Sequence, residues 1–370
     1  MIDMTPYSCM TREELEREYG SVLASYEACK AQGLKLNMAR GKPATEQLDM
    51  VSGLLTVLQT PEDCYDDGVD ARNYGELAGI PSARRYWADV LGCKADQVFV
   101  GGAASLNMMF DVVSRAYTHG LLHSPKPWCR EEKVKFLCPA PGYDRHFQIG
   151  EFFGAELIPV PMTPEGPDMD VVEELVKDPQ VKLIWTVPKY SNPDGIIYSD
   201  ETIRRFAHLK PAAPDFAIIW DNAYAVHHLT DTPDTLLNIY EEAAARGKED
   251  MVVQFASTSK ISFPGSGIAA MAASPANVAD VKKRMTVQTI GHDKLNMLRH
   301  ARFFRDADGV REHMKLHAAI LRPKFAAVLE ALETHLGGKG IARWHKPNGG
   351  YFVSVNLMDG CAKETVRLLA

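Results

Sequence analysis

From about residue 95 onwards, short runs of apolar, β-branched and aromatic residues alternate with stretches whose apolar positions recur every three or four residues. The runs QVFVGG, KVKFLCP, AELIPVPM, VKLIWTVP, FAIIWDNAY, MVVQFAST and GIAAMAAS have the length and composition of strands, and MDVVEELVKD and DETIRRFAHLK between them have helical periodicity. Strands alternating with helices predict an α/β fold, with a mainly parallel seven-stranded sheet and flanking helices on both faces. A long helical segment follows, DKLNMLRHARFF through HAAILRPKFAAVLEALETHLGG. After the turn KPNGG, the apolar run GGYFVSVNL predicts a strand of a smaller α+β domain. The expected division is 1–75 for an N-terminal arm and part of the small domain, 76–295 for the large domain, and 296–370 for the C-terminal small domain. The chain shows no internal repeat and no low-complexity tract.

Composition narrows the class. The 370 residues are 46% apolar and 24% charged, enough for a sizeable core and more than one ordinary domain. A net charge of -7, with no basic run interleaved with aromatics, argues against nucleic acid as a partner. The first residues carry no basic-then-apolar leader and no stretch reaches eighteen apolar residues, so a cytoplasmic protein with no membrane partner is expected. The seven cysteines are scattered and never form C-x-x-C, the pattern of reduced thiols. His227 and His228 are adjacent and have no third ligand at fitting spacing, so no metal site is expected.

The chemistry-bearing residues cluster just past the apolar runs. Side chains beyond the carboxyl ends of parallel strands face the crevice where ligands bind. One run ends on Asp221, with Asn222 and Tyr224 behind it; another ends on Ser257, leading through Ser259 to Lys260 and the loop FPGSG. A third leads to Asn192 in YSNPDG, a fourth to Tyr143 and His146, and FVGG opens a periodic helix at Ala103, Ala104 and Ser105. Taken singly, each has a plain reading: a surface lysine, a turn, a core aromatic. Together they offer what pyridoxal phosphate chemistry needs. A desolvated lysine can form a Schiff base, and an acid can keep the pyridine nitrogen protonated. Asn192 and Tyr224 can bond the ring's phenolic oxygen, and a helix start with small residues can take a phosphate.

In order, NYGELAGIPSARR, GGAASLNM, PAPGYDRHF, YSNPDG, DNAY and STSKISFPGSG resemble the fold type I pyridoxal-phosphate aminotransferases of the aspartate aminotransferase superfamily. NMARGKPATEQLD, SKISFPGSG and TIGHDKLNMLRHARF are similar to its bacterial MocR-like, subgroup 1c branch, and the resemblance runs from about residue 30 to the end. It implies pyridoxal 5′-phosphate as cofactor and a ping-pong exchange of an amino group between an α-amino acid, aspartate by suggestion, and a 2-oxo acid such as 2-oxoglutarate. It makes Lys260 the Schiff-base lysine and proton shuttle, pairs Asp221 with the ring nitrogen with His146 behind it, and stacks Tyr143 on the ring. Asn192 and Tyr224 fall to the phenolic oxygen, and Ala103, Ala104, Ser105 and Ser257 to the phosphate. Tyr74 matches an aromatic that reaches the partner subunit's phosphate, which implies a homodimer with shared sites.

Two departures from the family stand out. Gly267 occupies the place of a phosphate-binding arginine, so Ser259 or Lys189 is expected to compensate. The chain stops at KETVRLLA, before the family's carboxylate-binding arginine, and so is expected to lack the family's C-terminal end. Arg40, Gly41 and Asn192 are then the candidates for substrate contact. A pyridoxal-phosphate lyase on the same scaffold, or a non-catalytic regulatory protein that binds the cofactor, are the alternatives.

Overall fold

A computed structural model describes residues 5–36 and 41–369. Its centre is a sheet of seven strands: β1 (Val98–Val100), β2 (Lys135–Ala140), β3 (Glu156–Thr163), β4 (Val181–Thr186), β5 (Ala217–Asp221), β6 (Val252–Ser257) and β7 (Ala269–Ala272). They lie in the order β1-β7-β6-β5-β4-β2-β3, with β7 antiparallel to both of its neighbours and the others parallel. The sheet expected from the sequence is therefore present, with one addition. After β3 the chain turns through Pro164 and Glu165, and Gly166–Pro167 folds back as a two-residue antiparallel strand at the edge.

The unbroken apolar runs are explained by cover on both faces. In β4, Leu183 and Trp185 join a core with Ile219 of β5 and Phe255 of β6, while Ile184 between them joins a different core with Ile218 and Trp220. All seven are at most 1% exposed, so consecutive residues of one strand enter opposite hydrophobic layers.

The C-terminal part differs from expectation in two places. The long helical segment is two helices, Lys294–Phe304 and Ala307–Leu336. They are broken at Arg305, which has φ of 70°, and the second is restarted by Asp306, whose carboxylate accepts the Gly309 N–H. In GGYFVSVNL only Val355–Leu357 forms a strand, paired with Ala342–Trp344. The glycine pair ahead of it closes on Tyr190 instead: a Cβ on Gly349 would lie 2.3 Å from that ring, and the Gly350 N–H donates to the His227 carbonyl at 2.9 Å. No helix among the described residues is long and apolar enough to cross a membrane.

At the amino ends of the strands lies a buried ion network. Lys182 donates to Asp215 at 2.8 Å and sits 3.4 Å from Glu131, and the second Asp215 oxygen accepts from Ser124 Oγ at 2.6 Å and Trp128 Nε1 at 2.8 Å. Burial alone would push the Asp215 carboxyl up, but these donors hold it below its ordinary range. Removing one member of such a pair leaves the other charged in a dry site. Asp215→Ala is therefore expected to lower unfolding free energy by about 3–5 kcal/mol in denaturant titration, and a loss under about 1 kcal/mol would show the network to be idle.

Candidate active site

Because β2, β4, β5 and β6 run parallel, their carboxyl ends share one edge of the sheet, and the residues just past them meet there. Asp221 closes β5 and is 3% exposed. Its Oδ2 lies 3.1 Å from His146 Nε2, and its Oδ1 is buried with no hydrogen-bond partner. His146 stands in the helix Asp144–Phe152, its ring stacked on Trp185 at 4.8 Å and edge-on to Tyr143 at 5.0 Å. A small cavity is lined by Tyr143, His146, Trp185, Thr186, Ser191 and Asn192, which brings Asn192 to the same place.

Lys260 follows β6 by three residues, and its Nζ sits 4.9 Å from the centre of the Tyr224 ring. Burial lowers the pKa of this amine, with the Asp221 charge pulling the other way, so more of it is neutral and nucleophilic than in an exposed lysine. Tyr224 is 2% exposed, and burial, reinforced by the Asp221 charge, raises its hydroxyl above the ordinary tyrosine range. It is a hydrogen-bond donor here, not a phenolate.

The glycine turn after β1 leads into the helix Ser105–His119, whose N-cap, Ala104, puts no side chain on the first N–H groups. Ser257 Oγ donates to Ser259 Oγ at 3.0 Å, and Ser259 Oγ donates to the Ala103 carbonyl at 3.4 Å, so these residues form one cradle. Gly267 closes it from below. A Cβ there would lie 2.9 Å from Thr258 Oγ1 and 3.1 Å from the Ala103 carbonyl, so a side chain at this point has no room without a shift of its neighbours. Lys189, expected to compensate, is engaged elsewhere. Its ammonium donates to the Ala225 carbonyl at 3.2 Å, with burial lowering its pKa to about 8 against the pull of Asp234. Of the two candidates, Ser259 is the one whose side chain reaches the Ala103 carbonyl.

Gly41 packs against the segment after the second glycine turn, where a Cβ would lie 2.7 Å from Tyr351 Cβ and 3.0 Å from the Phe352 ring. Arg40 lies outside the described residues. Tyr74 is 83% exposed and stands out from its own chain's surface. His227 and His228 part company: His227 Nε2–H donates to the Lys260 carbonyl at 3.4 Å, while His228 Nδ1 bonds the Tyr190 hydroxyl at 2.7 Å. No group of three or more His, Cys, Asp or Glu among the described residues could hold a metal ion.

Two residues at this site, Trp185 and Tyr351, were not singled out in the sequence, and His227 was weighed there only as a metal ligand. Trp185 backs His146, His227 lies beneath Tyr224 at 5.5 Å, and Tyr351 lies 6.4 Å from Tyr224 and accepts from Gln47 Nε2 at 3.1 Å. Burial pushes the Tyr351 hydroxyl up to about 12, and it takes His227 well below its ordinary value, helped by the Lys260 charge. The run GGYF carried the one available signal for Tyr351, an aromatic directly after a glycine turn.

This arrangement fits pyridoxal phosphate on its own features. A buried carboxylate oxygen without a donor is costly unless a ligand supplies one, as a protonated ring nitrogen does. The uncapped helix start suits a phosphate dianion. The desolvated Lys260 amine makes no ion pair or hydrogen bond among the described residues, which leaves it free for an aldehyde.

The family model described as aspartate amino-transferase matches residues 10–370. An aspartate aminotransferase of Corynebacterium glutamicum is 47% identical over 343 residues, spanning 93% of this chain and 79% of that protein. The crystal structure of an aspartate transaminase from the same species superposes with a TM-score of 0.95 at 44% identity, covering 99% of this chain and 86% of that one. At 22% identity, the α-aminoadipate aminotransferase of Thermus thermophilus, solved with N-(5′-phosphopyridoxyl)-L-leucine, shares the fold with a TM-score of 0.70 over 88% of this chain and 78% of that one. The chain therefore belongs to the aspartate amino-transferase family and is an aminotransferase of the pyridoxal-phosphate-dependent fold type I class.

Proposed function

We propose that this aminotransferase holds pyridoxal 5′-phosphate between Lys260, Asp221 and the Ser105 helix, and exchanges the amino group of aspartate with 2-oxoglutarate. The observation that carries the reading is the buried Asp221 oxygen without a donor, beside a desolvated lysine at the next strand's end. Aspartate as donor is supported by the 47% identical relative of that name.

Each residue's part follows from its position. Asp221 would hold the ring nitrogen, kept in place by His146, and Tyr143 would cover the ring face. Asn192 and Tyr224 would donate to or accept from the phenolic oxygen, and Ala103, Ala104, Ser105, Ser257 and Ser259 would bind the phosphate. When bound, the cofactor supplies an electron-accepting ring that stabilises the charge left as the substrate Cα–H bond breaks. Lys260 would hold the cofactor through its amine and, when freed from it, would serve as the base that takes the substrate Cα proton and returns it. A lowered pKa suits that duty, because a larger neutral fraction is available as base at a given pH. Arg40, Gly41 and Asn192 are the proposed substrate contacts.

We also read the protein as a homodimer of chains built from a large domain, 76–295, and a small one drawn from 1–75 and 296–370. Phe152, Val287 and Ile290 are 73%, 93% and 61% exposed, and the first two line a cavity of about 1070 Å³ beside the cradle glycines Gly101 and Gly102. Tyr74, also exposed, would reach the second copy's phosphate.

The test is an initial-rate assay with aspartate and 2-oxoglutarate. Oxaloacetate should form only when both are present, with parallel double-reciprocal lines as either is varied, since one substrate leaves as product before the next binds. Ammonia release from aspartate without a 2-oxo acid would point to a lyase instead.

A further inference from the structure

Of the three buried polar side chains on the helix Lys294–Phe304, Lys294, Asn296 and His300, the last two stand one turn apart, 8% and 1% exposed, and the function proposed above uses neither. The Asn296 amide donates to the Gly267 carbonyl at 2.9 Å and to the Ser266 carbonyl at 3.1 Å. His300 Nδ1 lies 2.8 Å from the Asn296 carbonyl. A carbonyl can only accept, so Nδ1 carries the ring proton and Nε2 is left as an acceptor. That Nε2 lies 2.8 Å from Ser262 Oγ and 3.3 Å from Thr258 Oγ1. The hydroxyls two residues before and two residues after Lys260 thus meet at one imidazole nitrogen.

We propose that Asn296 and His300 are positioning residues that set the direction of the Lys260 amine and hold the loop after it against the phosphate cradle. This rests on the reading of Lys260 as the cofactor-binding lysine. The loop Phe263–Gly267 contains two glycines and so is costly to order from within. Position 267 has no room for a side chain that could tie it down from the cradle side. The loop's own tie is the Ser266 N–H to the Phe263 carbonyl at 3.1 Å, and the Asn296 amide adds order from beneath by holding two successive carbonyls.

Thr258 carries the restraint onward. It is fully buried, its Oγ1 accepts the Ile268 N–H at 2.9 Å, and its own N–H donates to the Ile268 carbonyl at 2.9 Å. A shift of His300 would therefore reach Lys260 on one side and the start of β7 on the other. Burial lowers the His300 pKa to about 4, so the ring stays neutral near neutral pH and Nε2 stays an acceptor. A residue that served only to fill space here would be apolar. Instead, both ring nitrogens and the Asn296 amide hydrogens find partners in the turn, the loop or their own helix, which is how a buried polar network selects one geometry.

The experiment uses the full chain, with His300→Phe, which keeps a ring but removes both nitrogens, and Ser262→Ala, which removes the nearer hydroxyl. Two readouts are taken: the rate at which Lys260 of the cofactor-free protein is acylated by an amine reagent, followed by peptide mass spectrometry, and kcat and KM for aspartate. Each variant should change Lys260 labelling several-fold and lower kcat by about 10–100-fold, with KM changing by less than about threefold, since misdirection of a reacting group costs rate more than binding. The double variant should be no worse than the poorer single one, because both act through one bond. A fall in melting temperature with labelling and kcat unchanged would overturn the proposal, and so would additive losses. If His300→Phe does not fold, Ser262→Ala decides by the same two readouts. Labelling needs neither cofactor nor transamination. A failure of the cofactor reading would show separately, as the absence of any pyridoxal adduct on Lys260 in the unaltered protein.

Discussion

Lys260→Ala should abolish both transamination and covalent retention of the cofactor. The Lys260 amine is the one brought to the crevice by β6, lying over the Tyr224 ring with its pKa lowered by burial. Loss of a positioned proton-transfer group alone typically costs about 10²–10⁴-fold in rate. Loss of the attachment point adds to this, because the cofactor would then be held only by the non-covalent contacts proposed for it. The protein loaded with pyridoxal phosphate and reduced with borohydride should carry the adduct on the peptide spanning Lys260, and the variant should carry none. Turnover within tenfold of the unaltered protein would mean that another amine does the work. Lys189, whose pKa is also lowered, to about 8, would then be the one to examine.

Asp221→Ala should leave the cofactor bound through Lys260 while lowering turnover by about 10²–10³-fold, the scale on which a single preorganised electrostatic contact acts. The carboxylate is 3% exposed, and only one of its oxygens is matched, by His146 at 3.1 Å. Without cofactor, the other oxygen contributes nothing to folding and costs desolvation. The variant should therefore be no less stable than the parent in the cofactor-free form, and should gain less melting temperature than the parent when pyridoxal phosphate is added. Thermal melts of both proteins with and without cofactor, run beside the activity assay, separate these effects. Near-normal turnover would show that the wrong acid has been assigned.

Most of the site was legible because of one topological regularity. In parallel strands with both faces buried, whatever follows the carboxyl end lands on the same edge of the sheet, whichever strand neighbours it. Asp221, Lys260, Asn192, Tyr143 and Ser105 could therefore be gathered from apolar runs and the residues just after them. Which candidate side chain lies at the cradle was harder. Ser259 and Lys189 were equal candidates on the sequence, and only the path of the chain turns Lys189 towards Ala225 and leaves Ser259 beside Ala103.

The strand expected over GGYFVSVNL shows why local pattern has limits. Its apolar residues satisfy a strand's composition, yet the glycine pair is drawn onto Tyr190, 159 residues earlier by number, and only Val355–Leu357 remains to pair. The break at Arg305 is of the same kind: the periodicity continues across it, and the aspartate that restarts the helix looks like any other polar residue.

What the sequence determined by itself was the seven main strands of the sheet, the layered architecture and the residues at the strand ends, because burial on two faces and the 3.6-residue helical repeat are written in consecutive positions. What only the tertiary structure decided was which distant groups complete those ends. The antiparallel insertion of β7 between β1 and β6, the close fit at Gly267, and the reach of His300 to hydroxyls 38 and 42 residues away all depend on how the layers pack. Such contacts join segments with no common period, and their geometry is set by close packing of the whole core, which no stretch of the chain encodes alone.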